Sequence, residues 1–399
     1  MPGPLEGVRV VDLTSVISGP LATSLLGDQG ADVIKIEAPN GDMLRNAGNR
    51  RAGVSSMFAA LNRSKRAVAV DVRTEAGRQI VLDLAATADV LIQNYRPGVV
   101  ERLGLGPDDV RAVKPDIVYA SINGVGTDGP YAHRRIYDPV IQCMAGFASG
   151  QRNRETGAPD LVRMMVCDKI TALSAAQAIS AALYHRLRTG EGQDIEIAML
   201  EACIWFQWPD RMANASFVGD VDVVGADLAS NYRLYETADG HIAIIAVQLV
   251  EFGGLFRAVG HGELVDDPRC VDAPTLYAHF QPEIRPMVEA AIRQLPTAEL
   301  AKRLEAEDVP FGIVLEGEEI LGDEQVQHRG VAVEYEHPTG GLMRGARAPQ
   351  RFSATPAGIT RPAPTPGQHT EEVLAAAGYD AERVAALRAE GVIVGSEPG

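Results

Sequence analysis

The first 125 or so residues alternate short apolar runs with helix-period segments, and this alternation confines the chain to few architectures. Val8–Leu13 (VRVVDL), Asp32–Glu37 (DVIKIE), Ala67–Val72 (AVAVDV), Asp89–Gln93 (DVLIQ) and Asp116–Ile122 (DIVYASI) read as buried strands. Pro20–Gly30 reads as a helix closed by glycine, and Thr74–Ala88 as an amphipathic helix carrying Ile80 and Leu84 on one face. Such strands separated by helices predict an α/β chain with a parallel, doubly wound sheet, whose ligands bind at the carboxyl ends of the strands.

From Asp168 to about Arg188 the pattern predicts a long helix with Leu173, Ala176, Ser180, Leu183 and Leu187 on one face. Its many small residues allow close packing on both sides, so a central place is expected. Gly190 falls near its C-cap, and Asp194–Leu200 restarts as a strand or helix entry. The character changes near Gly225. Tyr232–Thr237 and His241–Val247 flank Ala-Asp-Gly, a hairpin signal, and helices over Pro282–Gln294 and Thr297–Glu307 precede a strand-like FGIVL. Residues 225–330 therefore read as a smaller α+β domain. The tail is a Pro-rich turn entering a helix capped at Thr370 and followed by Glu371 and Glu372.

A formal net charge of −16 argues against nucleic acid or an anionic membrane as partner. An anionic ligand then has to be held by local clusters of arginine and lysine. Cys143, Cys167, Cys203 and Cys270 are scattered, with no C-x-x-C pair and no metal-ligand spacing. They are expected to be free buried thiols in a reducing, cytoplasmic compartment, with no metal site. The N-terminus lacks a secretory pattern, and no apolar run approaches the roughly 20 residues of a membrane span.

Several short motifs compete for the chemistry. Gly124–Gly129 (GVGTDG) matches a dinucleotide fingerprint, but Pro130 and a polar loop follow where a helix is needed; a tight glycine loop is the better reading. Asn94–Gly98 turns at the end of a strand, where a ligand loop is expected. Arg63, Lys65, Arg66, Arg73, Arg96, Arg102, Arg134 and Arg135 gather near strand ends, as phosphate ligands or as a solvated basic face. His133, His185 and His241 have no nucleophile at motif spacing, and Cys167 has no basic partner in sequence. Asp168 has two readings. It is a helix N-cap, or it is a carboxylate nucleophile kept ionised by the helix start.

Taken together, PLEGVRVVDLTSVISGPLATSLLGDQGADVIKIEAPNGD, NRSKRAVAVDVRTEAGR, DVLIQNYRPGVVERLGLGPDDV, GVGTDGPYA, LYHRLRTGEGQDIEIAMLEA, YETADGHIAIIAVQ and PTPGQHTEEVL resemble, in this order, the class III coenzyme A transferases of the CaiB/BaiF type. The resemblance covers essentially the whole chain. It implies a Rossmann-like large domain built from both chain ends (residues 1–224 and 331–399), a small domain at 225–330, and two interlocked subunits. It implies Asp168 as nucleophile, coenzyme A and acyl-CoA as substrates with no prosthetic group, and a small carboxylic acid as the second substrate. By similarity to formyl-CoA transferase, Val16, Ile17, Arg73, Asn94, Tyr95, Arg102, Leu103 and Arg135 are expected to contact coenzyme A. Ile17 stands where that enzyme has glutamine, and Leu44–Arg51 lacks its gating tryptophan. Arg45, Arg50 and Arg51 are open to two readings, as ligands of a dicarboxylate or as an exposed loop. The racemase relatives need histidine before aspartate in the loop after the glycines; here Tyr137 precedes Asp138, and Gln248 replaces an acidic partner. Tyrosine, with a pKa of about 10, is a poor base at neutral pH. A transferase is therefore favoured over a racemase-type isomerase or a coenzyme A-binding protein without turnover.

Overall fold

The computed structural model describes residues 3–153, 155–219 and 232–395. The chain divides into two compact units: Met1–Pro209 with Arg329–Gly399, and Asp210–His328. The change of character expected near Gly225 falls outside the described residues.

In the larger unit the strands are β1 (Arg9–Asp12), β2 (Asp32–Glu37), β3 (Arg50–Arg51), β4 (Val54–Ser55), β5 (Lys65–Val70), β6 (Val90–Gln93), β7 (Val118–Asn123) and β8 (Asp194–Ala198). The helices are α1 (Ser18–Asp28), α2 (Ser56–Asn62), α3 (Glu75–Ala86), α4 (Val99–Arg102), α5 (Pro107–Val113), α6 (Asp138–Ala145), α7 (Phe147–Gly150), α8 (Val166–Thr189) and α9 (Met199–Arg211). The smaller unit carries β9 (Leu234–Glu236), β10 (His241–Ile244) and β11 (Phe311–Ile313), paired antiparallel, and α10 (Leu249–Ala258), α11 (Ala273–His279), α12 (Arg285–Ile292) and α13 (Thr297–Ala306). Its core gathers Phe252, Phe256, Phe280, Ile284 and Leu300. After it come β12 (Ala332–His337), β13 (Gly341–Ala346) and β14 (Ile393–Val394).

The main sheet has the order β14-β5-β2-β1-β6-β7-β8, parallel except for β14. Successive residues of one strand point to opposite faces, and both faces are buried. Val11, Ile34, Val68 and Leu91 meet Ile80 and Leu84 of α3 and Val373 and Leu374 from the C-terminal segment. Val10, Val33, Ile92 and Ala120 meet Ala22 and Leu26 of α1 and Ala172, Ala175 and Ile179 of α8. This two-sided burial explains the continuous apolar runs in the sequence.

Two local expectations need correction. The buried face of α8 carries Ile170, Ala172, Ala175, Ile179 and Ala182, while Leu173 and Leu187 are exposed. Close approach of helix to sheet selects the small residues and leaves the leucines outside. Thr370 does not cap its helix, because His369 occupies that position. The fully buried Thr370 hydroxyl instead accepts from the Ala69 N–H (3.2 Å) and shares its proton between the carbonyls of Gly367 (2.9 Å) and Val394 (3.1 Å). It thereby stitches the C-terminal segment to the edge of the sheet. Thr370→Val should lower the unfolding free energy by roughly 1–3 kcal/mol in chemical denaturation, with activity per folded molecule unchanged.

Candidate active site

Strand order reverses at β1, which has β2 on one side and β6 on the other. In doubly wound sheets the crevice beyond the strand ends at such a point receives the ligand. Here a cavity of about 320 Å³ lies there, walled by the loops after β1, β6 and β7 and by the start of α8. Asn94, after β6, binds the first loop: its side-chain oxygen accepts the Ser15 N–H (2.9 Å) and its amide donates to the Ser15 carbonyl (2.8 Å). The glycine loop after β7 is pinned by Glu196, which accepts from the Asn123 amide and the Thr127 N–H (both 2.8 Å). A Cβ on Gly124 would lie 2.5 Å from that of Ile136, so the backbone passes there only without a side chain. No helix follows Gly129, and the dinucleotide reading fails as the sequence indicated.

Asp168 is the third residue of α8, whose N-cap is Met165. It is therefore not the cap. The Asp168 backbone N–H donates to the carboxylate of Asp138 at 2.9 Å, so a residue thirty positions earlier satisfies this helix start. Asp138 is itself buried at the start of α6. Its other oxygen accepts from the Gln142 amide (2.6 Å), and Gln142 also holds Val162 and Met164 on the approach to α8. The Asp168 side chain is half-buried in the wall of the cavity that Ser18 also lines, where the Ser18 hydroxyl and N–H favour its charged form. Ser18 is the first residue of α1, so the starts of two helices converge on one carboxylate.

The helix start was expected to keep Asp168 ionised, and here the balance runs the other way. Burial, followed by repulsion from Asp138, pushes its pKa up to about 6, against the neighbouring Ser18, which lowers it. A helix terminus contributes at most about 2 kcal/mol, which desolvation and a like charge outweigh. Cys167 next door is fully buried; hydrogen bonding to Cys203 and burial hold its thiol far from ionisation, which removes it as a competing nucleophile. All four cysteines are free, and Cys143 is exposed rather than buried.

Of the expected ligand-contacting residues, Val16, Asn94, Tyr95 and Arg135 line the cavity with Asp168. Ile17 does not, because its side chain turns into an apolar cluster with Leu44 and Phe58. Arg73, Arg102 and Leu103 also lie outside the lining; Arg73 is exposed and grips Asp71, and Leu103 packs on the sheet core. The basic cluster divides. Arg96, Arg134 and Arg135 line the cavity, whereas Arg63 grips buried Asp28, Lys65 grips buried Asp12, and Arg66 bridges Asp32 and Glu372. Arg45 is spent on Glu37 and the Pro364 carbonyl, and Arg51 on the carbonyls of Gly340 and Leu342. Ser18 and Asp138 went unselected in the sequence as site residues.

Two consequences follow from the charge balance at Asp168. Replacing Asp138 by Asn removes the repulsion, so the acid limb of the pH–rate profile should move down by about one unit, whereas an unmoved limb would show that Asp138 does not act on Asp168. Asp168 has a native pKa above its unfolded value, so its charge costs stability above about pH 6. Asp168→Asn should accordingly be more stable than the wild type by on the order of 2 kcal/mol at pH 8, an advantage that fades as the pH falls from 6 toward 4.

The chain matches the model of CoA-transferase family III over residues 5–370. It is 33% identical to a succinate–glutarate CoA-transferase of Agrobacterium fabrum, over 93% of this chain and 95% of that protein. It is also 33% identical to a formyl-CoA:oxalate CoA-transferase of Streptomyces avermitilis, over 98% and 99% of the two chains. A crystal structure of a CaiB/BaiF family protein from Brucella suis superposes with a TM-score of 0.82 at 31% identity, covering 94% of this chain and 100% of the other. The chain belongs to CoA-transferase family III.

Proposed function

We propose that this protein moves coenzyme A between an acyl-CoA and a small free carboxylic acid, with Asp168 as nucleophile. One observation carries the reading: a half-buried carboxylate lines the switch-point cavity, with Ser18, Arg96, Arg134 and Arg135 around the same space. A buried carboxylate with a raised pKa is a stronger nucleophile than a solvated one, because less water must be stripped from it before attack.

In the first step an Asp168 oxygen attacks the thioester carbonyl, the C–S bond breaks, and an aspartyl–acyl anhydride and coenzyme A thiolate result. The thiolate then attacks the Asp168 carboxyl carbon and expels the donor acid, leaving an aspartyl–CoA thioester. The acceptor carboxylate attacks that carbon and releases the thiolate, which attacks the acyl carbonyl of the second anhydride. New acyl-CoA forms, and Asp168 is regenerated. The Ser18 N–H, unpaired within α1 because it opens the helix, is the donor best placed for the oxyanion of the aspartyl steps. Val16, Asn94, Tyr95 and Arg135 contact coenzyme A in this reading. Ile17, Arg73, Arg102 and Leu103 belong to the surround of the longer ligand, with guanidinium groups suited to phosphate.

The active form in this proposal is an interlocked homodimer in the cytoplasm, with large and small domains as the family resemblance implies. Its support is an apolar groove of about 840 Å³ beside α8, α9 and β8, where Leu173, Trp205 and Phe206 are all more than half exposed in the single chain. Apolar patches of this kind mark association surfaces. Among the described residues no helix is long and apolar enough to cross a membrane.

The test is incubation with a panel of acyl-CoAs and acids, followed by hydroxylamine and peptide mass spectrometry. A hydroxamate on Asp168 is expected, with transfer reduced by roughly 10³-fold or more in Asp168→Ala. Full activity in that variant with no adduct would refute the mechanism. Exchange of the α-proton without transfer would point to the racemase chemistry instead.

A further inference from the structure

Beneath the cavity lies a set of charges that the transfer chemistry does not use. Asp12, Lys35 and Lys65 have no exposed surface, and Glu37 and Asp42 are nearly as deep. With Arg45, three carboxylates face three cations: Lys65 on Asp12 (3.1 Å), Lys35 on Asp42 (3.2 Å) and Arg45 on Glu37. Burying ions costs several kcal/mol each, and such pairs seldom stabilise a fold more than apolar residues would. Their hydrogen bonds show what they hold.

The Lys35 ammonium donates to the Thr14 carbonyl at 2.9 Å, and Asp12 accepts both the Thr14 N–H (2.8 Å) and its hydroxyl. Lys65 donates to the Pro20 carbonyl (2.9 Å), and the second Asp12 oxygen accepts from Thr23 (2.6 Å). The cluster therefore grips both sides of the turn Ser15–Gly19, at its entry and in the first turns of α1. Thr14 also seats directly against Gly19, where any Cβ would lie 2.3 Å from that of Thr14. Within the turn Val16 sits at φ +69°, a left-handed conformation that is strained for a β-branched residue. Strain of this kind, on the order of 1–3 kcal/mol, persists only where the surroundings over-determine it. Two residues later Ser18 lines the same cavity as Asp168.

We propose that the buried Asp12–Lys35–Lys65 cluster is a positioning device for catalysis: it holds the strained Ser15–Ser18 turn so that Ser18 keeps its place in the cavity wall it shares with Asp168. The proposal rests on Asp168 being the nucleophile.

The test separates positioning from plain charge balance. Lys35→Met alone leaves Asp42 as an unpaired buried charge and should lower Tm. The double variant Lys35→Met/Asp42→Asn removes both charges together, so Tm should largely recover, but the Thr14 carbonyl still lacks its ammonium. Its kcat should remain reduced by about 10- to 100-fold, with KM for acyl-CoA changed by no more than about threefold. Because Ser18 lowers the pKa of Asp168, a loosened turn should also move the acid limb of the pH–rate profile upward. Thr14→Val, which deletes only the hydroxyl bond to Asp12, should shift kcat and the acid limb in the same directions by smaller amounts. If the double variant folds with wild-type kcat and an unmoved acid limb, or if Thr14→Val behaves as wild type in both readouts, the positioning role is overturned. An adduct absent from Asp168 in the wild-type enzyme overturns the nucleophile reading instead, a result visible without any of these variants.

Discussion

The close approach of α1 to α8 is the contact on which the site depends. Ala22 and Leu26 of the first helix meet Ala172, Ala175 and Ile179 of the second over one face of the sheet. Alanine at these positions lets the two backbones come near, and larger side chains would force them apart. The two helices also begin at one cavity, which both Ser18 and Asp168 line. Ser18 and Asp168 then meet although 150 positions separate them in sequence. The small-residue pattern of α8 is thus a condition for the chemistry as well as for packing.

Around that meeting point the electrostatics are arranged in tension. The helix starts and the neighbouring Ser18 favour the charged carboxylate, while burial and Asp138 oppose it, and the opposition prevails. A carboxylate that is ionised near neutral pH yet poorly solvated is the outcome, as the proposed nucleophilic role requires, and the fold carries its cost in stability. Asp138 has a second task, since it satisfies the N–H of the residue whose charge it raises in energy. One carboxylate thereby fixes both the place and the reactivity of the other.

Much of the fold was legible in the sequence because parallel strands buried on both faces leave long apolar runs. Asp32–Glu37 is read with the bounds the structure shows and β1, β5, β6 and β7 to within about two residues, whereas β8 is left as strand or helix entry and the two-residue edge strand β14 has no sequence signal. The long helix was also legible, but its buried face was not, because a face lined with alanine leaves no amphipathic signal to compete with the leucine stripe. Asp168 and part of its cavity were reachable through the family resemblance. Ser18 and Asp138 were not, since both act across tertiary contacts. In sequence Ser18 is a small residue before Gly-Pro, and Asp138 is an aspartate before proline at a helix start, an ordinary local signature. Charge alone likewise could not sort the arginines, because buried Asp28, Glu37 and Asp12 claim several cations before any ligand can.

Isotope tracing reports on the central claim most directly. An acceptor acid labelled with heavy oxygen in its carboxylate is used in a single half-reaction of enzyme already loaded as the aspartyl–CoA thioester. If Asp168 forms anhydrides with both acids, one labelled oxygen must remain on its side chain, to be read by peptide mass spectrometry, and must pass into the donor acid in those later turnovers in which the labelled oxygen is the one that attacks. Label confined to the new acyl-CoA and the unreacted acceptor, with none on Asp168 or in the donor acid, would contradict the account.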